Sequence, residues 1–363
     1  MTLWSPQQDN ALSAVSRWLK AGKPQVYRLF GFAGTGKTTL ARHLAEGIDG
    51  TVCFAAFTGK AALVMRSRGC EGARTIHSLI YRPKETDTEE PSFVLNDESD
   101  AASASLIVID ECSMVDEDLG RDLLSFGRPV LVLGDPAQLP PVKGGGYFTE
   151  AEPDAMLTEV HRQAADNPIV RMSMAVREGE RLQLGVYGES SVIRRADIDP
   201  SHVTGCDQVL VGLNKTRRAY NRRIRELLGR TSALPEAGDK LVCLKNDRTK
   251  GLLNGGLWRV QAAATLRRGK LRMSVTPEDE GGRKSQRVGV IPQFFESDDE
   301  IPFSLRRNSD EFDYGYALTV HKAQGSQWDD VIVFDESFAF REHRNRWLYT
   351  AVTRAAEKLT VVS

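Results

Sequence analysis

Nothing in this chain of 363 residues approaches an eighteen-residue apolar run, and its N-terminus lacks the basic, apolar, small-residue order of a secretory leader. A membrane-spanning helix and an exported precursor are thereby disfavoured. Cysteine is sparse as well. The five present, Cys53, Cys70, Cys112, Cys206 and Cys243, are scattered without a C-x-x-C pair, which argues against a disulfide framework or zinc site and for a reducing cytoplasm. Internal repeats and strongly low-complexity segments are missing, so a solenoid is not expected. Net charge is only −1, which gives no bulk attraction to polyanions.

What remains is ordinary for a globular protein: 41% hydrophobic and 27% charged residues, in a chain long enough for two core domains with small insertions. Charge is unevenly laid down. Seven basic residues, Lys215, Arg217, Arg218, Arg222, Arg223, Arg225 and Arg230, stand against one acid, Glu226, while acid gathers at 85–100 and 296–300. Such a run is either the solvated face of a helix or a local stripe able to track phosphates.

Short apolar segments recur, each leading into a polar loop and then a helical stretch. They fall at 26–30, 52–56, 106–109 and 130–133, and again at 208–211, 318–320, 331–334 and 359–362. Near-continuous apolarity is expected of parallel strands covered on both faces. The fold class read from this pattern is α/β, two parallel-sheet domains in tandem, with ligands at the carboxyl ends of the strands. Residues 1–166 and 167–363 are the expected domains, joined near Asn167-Pro168. Two stretches break the rhythm. Residues 79–104 are rich in Ser, Asp and Glu and read as a small hairpin insertion in the first domain. Residues 239–311 alternate in the β manner between Gly-rich turns and read as a small β-barrel inserted in the second.

Gly31-Phe-Ala-Gly-Thr-Gly-Lys-Thr38 is a complete G-x-x-x-x-G-K-[ST] phosphate loop between a strand and a helix. Gly31, Gly34 and Gly36 let the backbone curl so that N–H groups from Gly34, Thr35, Gly36, Lys37, Thr38 and Thr39 cradle a nucleotide. Lys37 reaches the β- and γ-phosphates, and the Thr38 hydroxyl is a ligand for Mg²⁺. Asp110 and Glu111 stand at the end of another strand. Asp110 suits the holding of Mg²⁺, and Glu111 the acceptance of a proton from the attacking water. Gln138, on the loop Gly134-Asp-Pro-Ala-Gln-Leu-Pro-Pro-Val142, suits bonding to both γ-phosphate and water. Arg162 and Arg354 offer guanidinium groups against charge developing on the γ-phosphate. With Lys37 in the first domain and Arg354 in the second, the nucleotide is expected between them.

In this order the strings resemble the motifs of superfamily 1 helicases, and within them the RecD-like and Dda-like group that moves 5′ to 3′. Ser5-Pro-Gln-Gln8 resembles the N-terminal glutamine motif, GFAGTGKTT motif I, and Phe57-Thr-Gly-Lys-Ala-Ala62 motif Ia. Thr75-Ile-His-Ser-Leu79 is similar to the DNA-contacting segment that follows. DECSM resembles motif II, GDPAQLPPV motif III, His161-Arg-Gln163 motif IV, residues 317–328 motif V, and YTAVTRA at Tyr349 motif VI. Two departures stand out: Ala137 and Gln327 replace acids that many relatives carry.

The resemblance implies two RecA-like domains, ATP with Mg²⁺, and travel along single-stranded DNA with unwinding of forked or tailed duplex. It places Gln8 at the adenine edge and Gly325 at the nucleotide. Thr58, His77, Thr319, His321 and Lys322 fall on the DNA strand, making phosphate and sugar contacts that carry weak sequence preference. Relatives use the 79–104 region as the pin that parts the strands, and Phe93 is the one aromatic between Arg82 and Ser105. The expected protein is a compact motor without an appended nuclease domain, in the cytoplasm and away from membranes. Two other readings stand beside it: a motor subunit of a larger recombination, replication or nuclease assembly, and an RNA remodeller.

Overall fold

The computed structural model describes residues 4–84, 93–141, 146–159, 166–247, 249–278, 284–297 and 301–363. Strands β1 (Val26–Gly31), β2 (Val52–Ala56) and β3 (Arg74–Thr75) precede a hairpin of β4 (Tyr81–Pro83) and β5 (Phe93–Leu95). Then come β6 (Leu106–Asp110), β7 (Val130–Gly134) and β8 (Ala155–Leu157). Apart from the hairpin, these form one parallel sheet in the order β3-β2-β6-β7-β1-β8. Successive side chains point to opposite faces, and both faces are covered. Leu29, Val108 and Leu131 enter one core, while Phe30, Ile109 and Val132 enter the other. The short β3 and β8 escape a sequence reading because two or three residues show no period.

The acidic insertion is narrower than 79–104. Leu79, Ile80, Ala101 and Ala104 are buried in the core of the first sheet, so both ends of the expected insertion belong to that core. Between them Tyr81 pairs with Leu95 and Pro83 with Phe93. The acidic composition masked four apolar residues at its ends.

The second sheet begins with β9 (Gly185–Tyr187), β10 (Ser190–Ile193) and β11 (Gln208–Val211). An antiparallel excursion follows: β12 (Lys240–Cys243), β13 (Leu257–Val260), β14 (Thr265–Arg267), β15 (Lys270–Pro277), β16 (Gln286–Val290) and β17 (Phe312–Tyr314). The sheet is completed by β18 (Ala317–Thr319), β19 (Trp328–Phe334) and β20 (Ala355–Val362), in the order β18-β11-β19-β20-β10-β9. Only β9 runs antiparallel to its neighbour. The excursion has its own core around Trp258, Val275, Val290 and Phe312, and a bridge between Val290 and Asp310 ties the end of β16 to the segment that leads into β17. It reaches Tyr314, beyond the expected limit at 311, because Phe312 and Tyr314 belong to that core. The expected strand at 318–320 also shifts, since Thr319 caps a helix that starts at Val320.

The helix Pro168–Arg177 is capped by Asn167, has Pro168 in its first turn, and buries Ile169 and Met172 in the second sheet's core. The basic run at 215–230 needs a correction. It lies largely on the helix Asn214–Leu227, yet Arg217 is buried against Asp313 at 2.6 Å, and Arg225 and Arg230 share the fully buried Asp239 at 3.1 and 3.0 Å. Tyr316 and the Glu236 N–H complete the Asp239 shell. Three of the seven charges therefore fasten the helix to the β excursion. No helix among the described residues is long and apolar enough to cross a membrane.

Candidate active site

The loop after β1 turns through Gly34 and Gly36, both at φ +79°, and the helix Lys37–Glu46 starts directly behind it. Gly31 is required by space: a Cβ there would stand 2.7 Å from Thr35 Oγ1 and 2.8 Å from Leu157 Cβ. The Thr35 hydroxyl donates to the Phe32 carbonyl at 2.8 Å. The Lys37 ammonium donates to the carbonyls of Gly31 and Phe32 at 2.7 and 3.1 Å, so its charge lies over the loop. Gly34 and Thr39 are exposed. Gln8 is buried, with Oε1 accepting the Ser5 N–H at 3.0 Å and Nε2 donating to the Thr35 carbonyl at 3.1 Å. It caps the first helix and braces the loop at once.

The Thr38 hydroxyl donates to Asp110 Oδ2 at 2.7 Å, while Asp110 Oδ1 accepts the N–H of Glu111 at 2.8 Å. Glu111 sits at φ +54°, ψ +44°, a left-handed conformation that a side chain other than glycine adopts at a cost. Burial raises the Glu111 carboxyl above its ordinary range. The Arg354 guanidinium opposes that rise and Lys37 does so less, while Asp110 and Asp135 add to it. A carboxylate with raised proton affinity is the better acceptor for a proton from water. Thr38 and Asp110 are hard oxygen donors of the kind Mg²⁺ takes, and among the described residues no cluster of three or more His, Cys, Asp or Glu forms a closed metal site. This donor set fits an ion shared with nucleotide phosphates.

Strand order places Gln138. Because β7 lies between β1 and β6, its loop emerges between Lys37 and Glu111. Gln138 is buried, its N–H donates to the Asp135 carbonyl at 3.1 Å, and its Oε1 has no partner among the described residues. Arg354 comes from the other sheet. It is buried and held by the Thr350 and Ser326 carbonyls at 3.1 and 3.2 Å and by the Thr353 hydroxyl at 3.2 Å. The two halves meet at further points that sequence reasoning missed. Tyr349 bonds both Ala33 and Asp135, Thr350 and Gln324 bond Leu139, and the Arg177 guanidinium lies 3.7 Å from the Phe32 ring centre. Tyr349 and Thr350 lie inside a recognised string, but nothing local to them reveals partners more than two hundred residues away.

Thr58 and Thr319 occupy equivalent places in the two halves. Each stands at or just beyond a strand's carboxyl end and caps a helix, accepting the N–H of Ala61 at 3.1 Å and of Lys322 at 3.4 Å. Gly325, at φ +75°, packs onto this point, where a Cβ would stand 2.9 Å from Ala61 Cβ and 3.1 Å from Thr58 Oγ1. His321 is half-buried, 5.6 Å from the Phe340 ring, and Lys322 is exposed. His77 is exposed beside Tyr81 at the base of the hairpin, and Phe93 on the hairpin is 60% exposed. Arg162 lies outside the described residues.

A phosphate loop and an Asp–Glu pair on one sheet, with a buried arginine from the second, define a P-loop α/β protein of two sheets. A family model described as an AAA domain matches residues 4–197, and one described as a UvrD-like helicase C-terminal domain matches residues 314–362. The chain belongs to this AAA-domain family, within the RecD-like and Dda-like group of superfamily 1 helicases. It is 32% identical over 360 residues to the ATP-dependent RecD2 DNA helicase of Deinococcus radiodurans, covering 91% of this chain and 46% of that protein. Against the ATP-dependent DNA helicase dda of Enterobacteria phage T4 it is 32% identical over 188 residues, 48% of this chain and 42% of that one. The chain thus spans less than half the length of these relatives. In fold it is similar to a structure of two coordinating Pif1 helicases at forked double-stranded DNA, with TM-score 0.62, 18% identity, and coverage of 99% of this chain and 92% of that chain. Its fold is that of tandem RecA-like sheets.

Proposed function

We propose that this chain is the motor of an ATP-dependent helicase that travels 5′ to 3′ on single-stranded DNA and parts forked or tailed duplex in repair, recombination or replication. The observation that carries the reading is the convergence of Lys37, Thr38, Asp110 and Glu111 from one sheet with Arg354 from the other, whose charge acts on Glu111. Residues 1–166 and 167–363 are the two working domains, in a reducing cytoplasm.

Thr38 and Asp110 would hold Mg²⁺ together with the nucleotide, where the ion would neutralise charge on the phosphates. The loop N–H groups and Lys37 bind the β- and γ-phosphates. Gln138 orients the attacking water, Glu111 takes its proton, and Arg354 steadies the charge that develops on the γ-phosphate. Arg162 is assigned the same task as Arg354. Gln8 reads the adenine edge by exchanging part of its bonding to Thr35 for the base. Because Arg354 and Gly325 lie across the cleft from Lys37 and Thr58, binding closes the halves and hydrolysis releases them. Thr58 and Thr319, with His77, His321 and Lys322, hold the strand as the halves alternate, and Phe93 on the hairpin serves as the pin. The β excursion acts as a small barrel beside the track.

The test is strand displacement on duplexes with 5′ or 3′ tails, with RNA as a competing track. Unwinding of 5′-tailed DNA with ATP consumption is expected, and activity confined to 3′ tails refutes the direction. A second reading, a motor subunit of a larger assembly, draws on 25% identity over 408 residues to the RecBCD enzyme subunit RecD of Mycobacterium tuberculosis. DNA-stimulated ATPase with negligible strand separation selects it.

A further inference from the structure

Gln138 belongs to the first half of the molecule, yet its loop is anchored largely by the second. Asp135, three residues before it, accepts the Tyr349 hydroxyl on Oδ2 at 2.6 Å and the Ala137 N–H on Oδ1 at 3.0 Å. Leu139, directly after it, is buried among side chains of the second sheet's core. The Leu139 N–H donates to Thr350 Oγ1 at 2.9 Å, and its carbonyl accepts from Gln324 Nε2 at 3.0 Å. The Tyr349 hydroxyl has a second task, accepting the Ala33 N–H of the phosphate loop at 3.1 Å. One oxygen on the helix Arg344–Val352 therefore touches the nucleotide cradle and the turn that carries Gln138.

We infer that Tyr349 is a positioning residue for ATP hydrolysis, its hydroxyl tying Gln138's turn to the phosphate loop so that movement of the second half is transmitted to Gln138. The residue is 1% exposed. Burial raises its phenol, and the Asp135 carboxylate adds to the rise, so the hydroxyl stays protonated and remains a donor. A ring needed only for packing would serve as well without its oxygen. The oxygen is bonded in both directions, and each bond ends on an element of the hydrolytic site. Rotation of the second sheet displaces Tyr349, Thr350 and Gln324 together, and the segment 135–139 has to follow or lose its bonds.

The inference rests on the proposed role of Gln138, so Gln138→Ala is the reference variant. Tyr349→Phe keeps the ring and removes both hydrogen bonds. Its kcat for ATP hydrolysis is expected to fall about tenfold, the size expected from losing the bond to the charged Asp135, with KM for ATP nearly unchanged and the melting temperature lowered by only a few degrees. In a double-mutant cycle on kcat, Asp135→Ala, which removes the acceptor, and Tyr349→Phe are expected to cost little more together than the larger one alone, because they break the same link. Parental kcat in Tyr349→Phe, or losses that multiply in the double variant, overturns the inference while a slow Gln138→Ala leaves the reading of the site intact. Parental turnover in Gln138→Ala overturns both. If Tyr349→Phe melts far below the parent, Asp135→Ala alone carries the test from the other end of the bond, with the same expected split between kcat and KM.

Discussion

Substituting Gly325 by alanine separates the contact between the two halves from the integrity of either one. Gly325 sits at φ +75°, and an added Cβ would meet Ala61 Cβ at 2.9 Å and Thr58 Oγ1 at 3.1 Å, where carbon atoms pack comfortably at about 3.5–4.0 Å. Two costs follow. The left-handed backbone costs about 1–2 kcal/mol for alanine and is carried whether the halves are together or apart. Overpacking costs about 1–3 kcal/mol and is relieved by separation, so closure is disfavoured by about 5- to 150-fold. Steady-state ATP hydrolysis at saturating single-stranded DNA should drop within that range. Thermal melting should fall only a few degrees, since each sheet keeps its own core. Adding Ala61→Gly removes the nearest atom of the clash and should restore most of the lost turnover, leaving the backbone cost in the melting temperature. Turnover in Gly325→Ala within about twofold of the parent, or no recovery in the double variant, refutes the reasoning.

Glu111→Gln should lower turnover by about two to four orders of magnitude while nucleotide affinity, measured by calorimetry, holds; Lys37→Ala should lose both. Asp239→Ala leaves Arg225 and Arg230 without their buried counter-charge and should destabilise the fold by about 3–5 kcal/mol in denaturant unfolding. Burial pushes the Cys70 thiol up to about 11 and the Cys206 thiol up to about 12. Both therefore stay neutral below those values, and at pH 8 iodoacetamide should label them slowly in the native protein and readily after unfolding, as read by mass spectrometry.

The parts of the candidate site were legible locally because each lies on one short strand-and-loop unit. Gly31 to Thr38, Asp110 with Glu111, and Gln138 each follow an apolar run, and a parallel sheet puts all such loops at one edge. The spacing of apolar runs likewise announced two sheets and an antiparallel excursion. Segments of two or three residues, such as β3 and β8, had too little pattern to show. The apolar ends of the acidic insertion were hidden by the composition around them.

Partnership between distant residues left no such trace. Nothing in the basic run distinguishes Arg217, Arg225 and Arg230 from their exposed neighbours, since their burial depends on Asp313 and Asp239, carboxylates brought beside them by folding. Tyr349 reads as one more apolar-aromatic position on a helix, and only the docking of the second sheet sets its hydroxyl between Ala33 and Asp135. Periodicity and motif spacing record forces that act within a segment. The alignment of the two halves, and with it the position of Gln138, comes from contacts between segments more than a hundred residues apart.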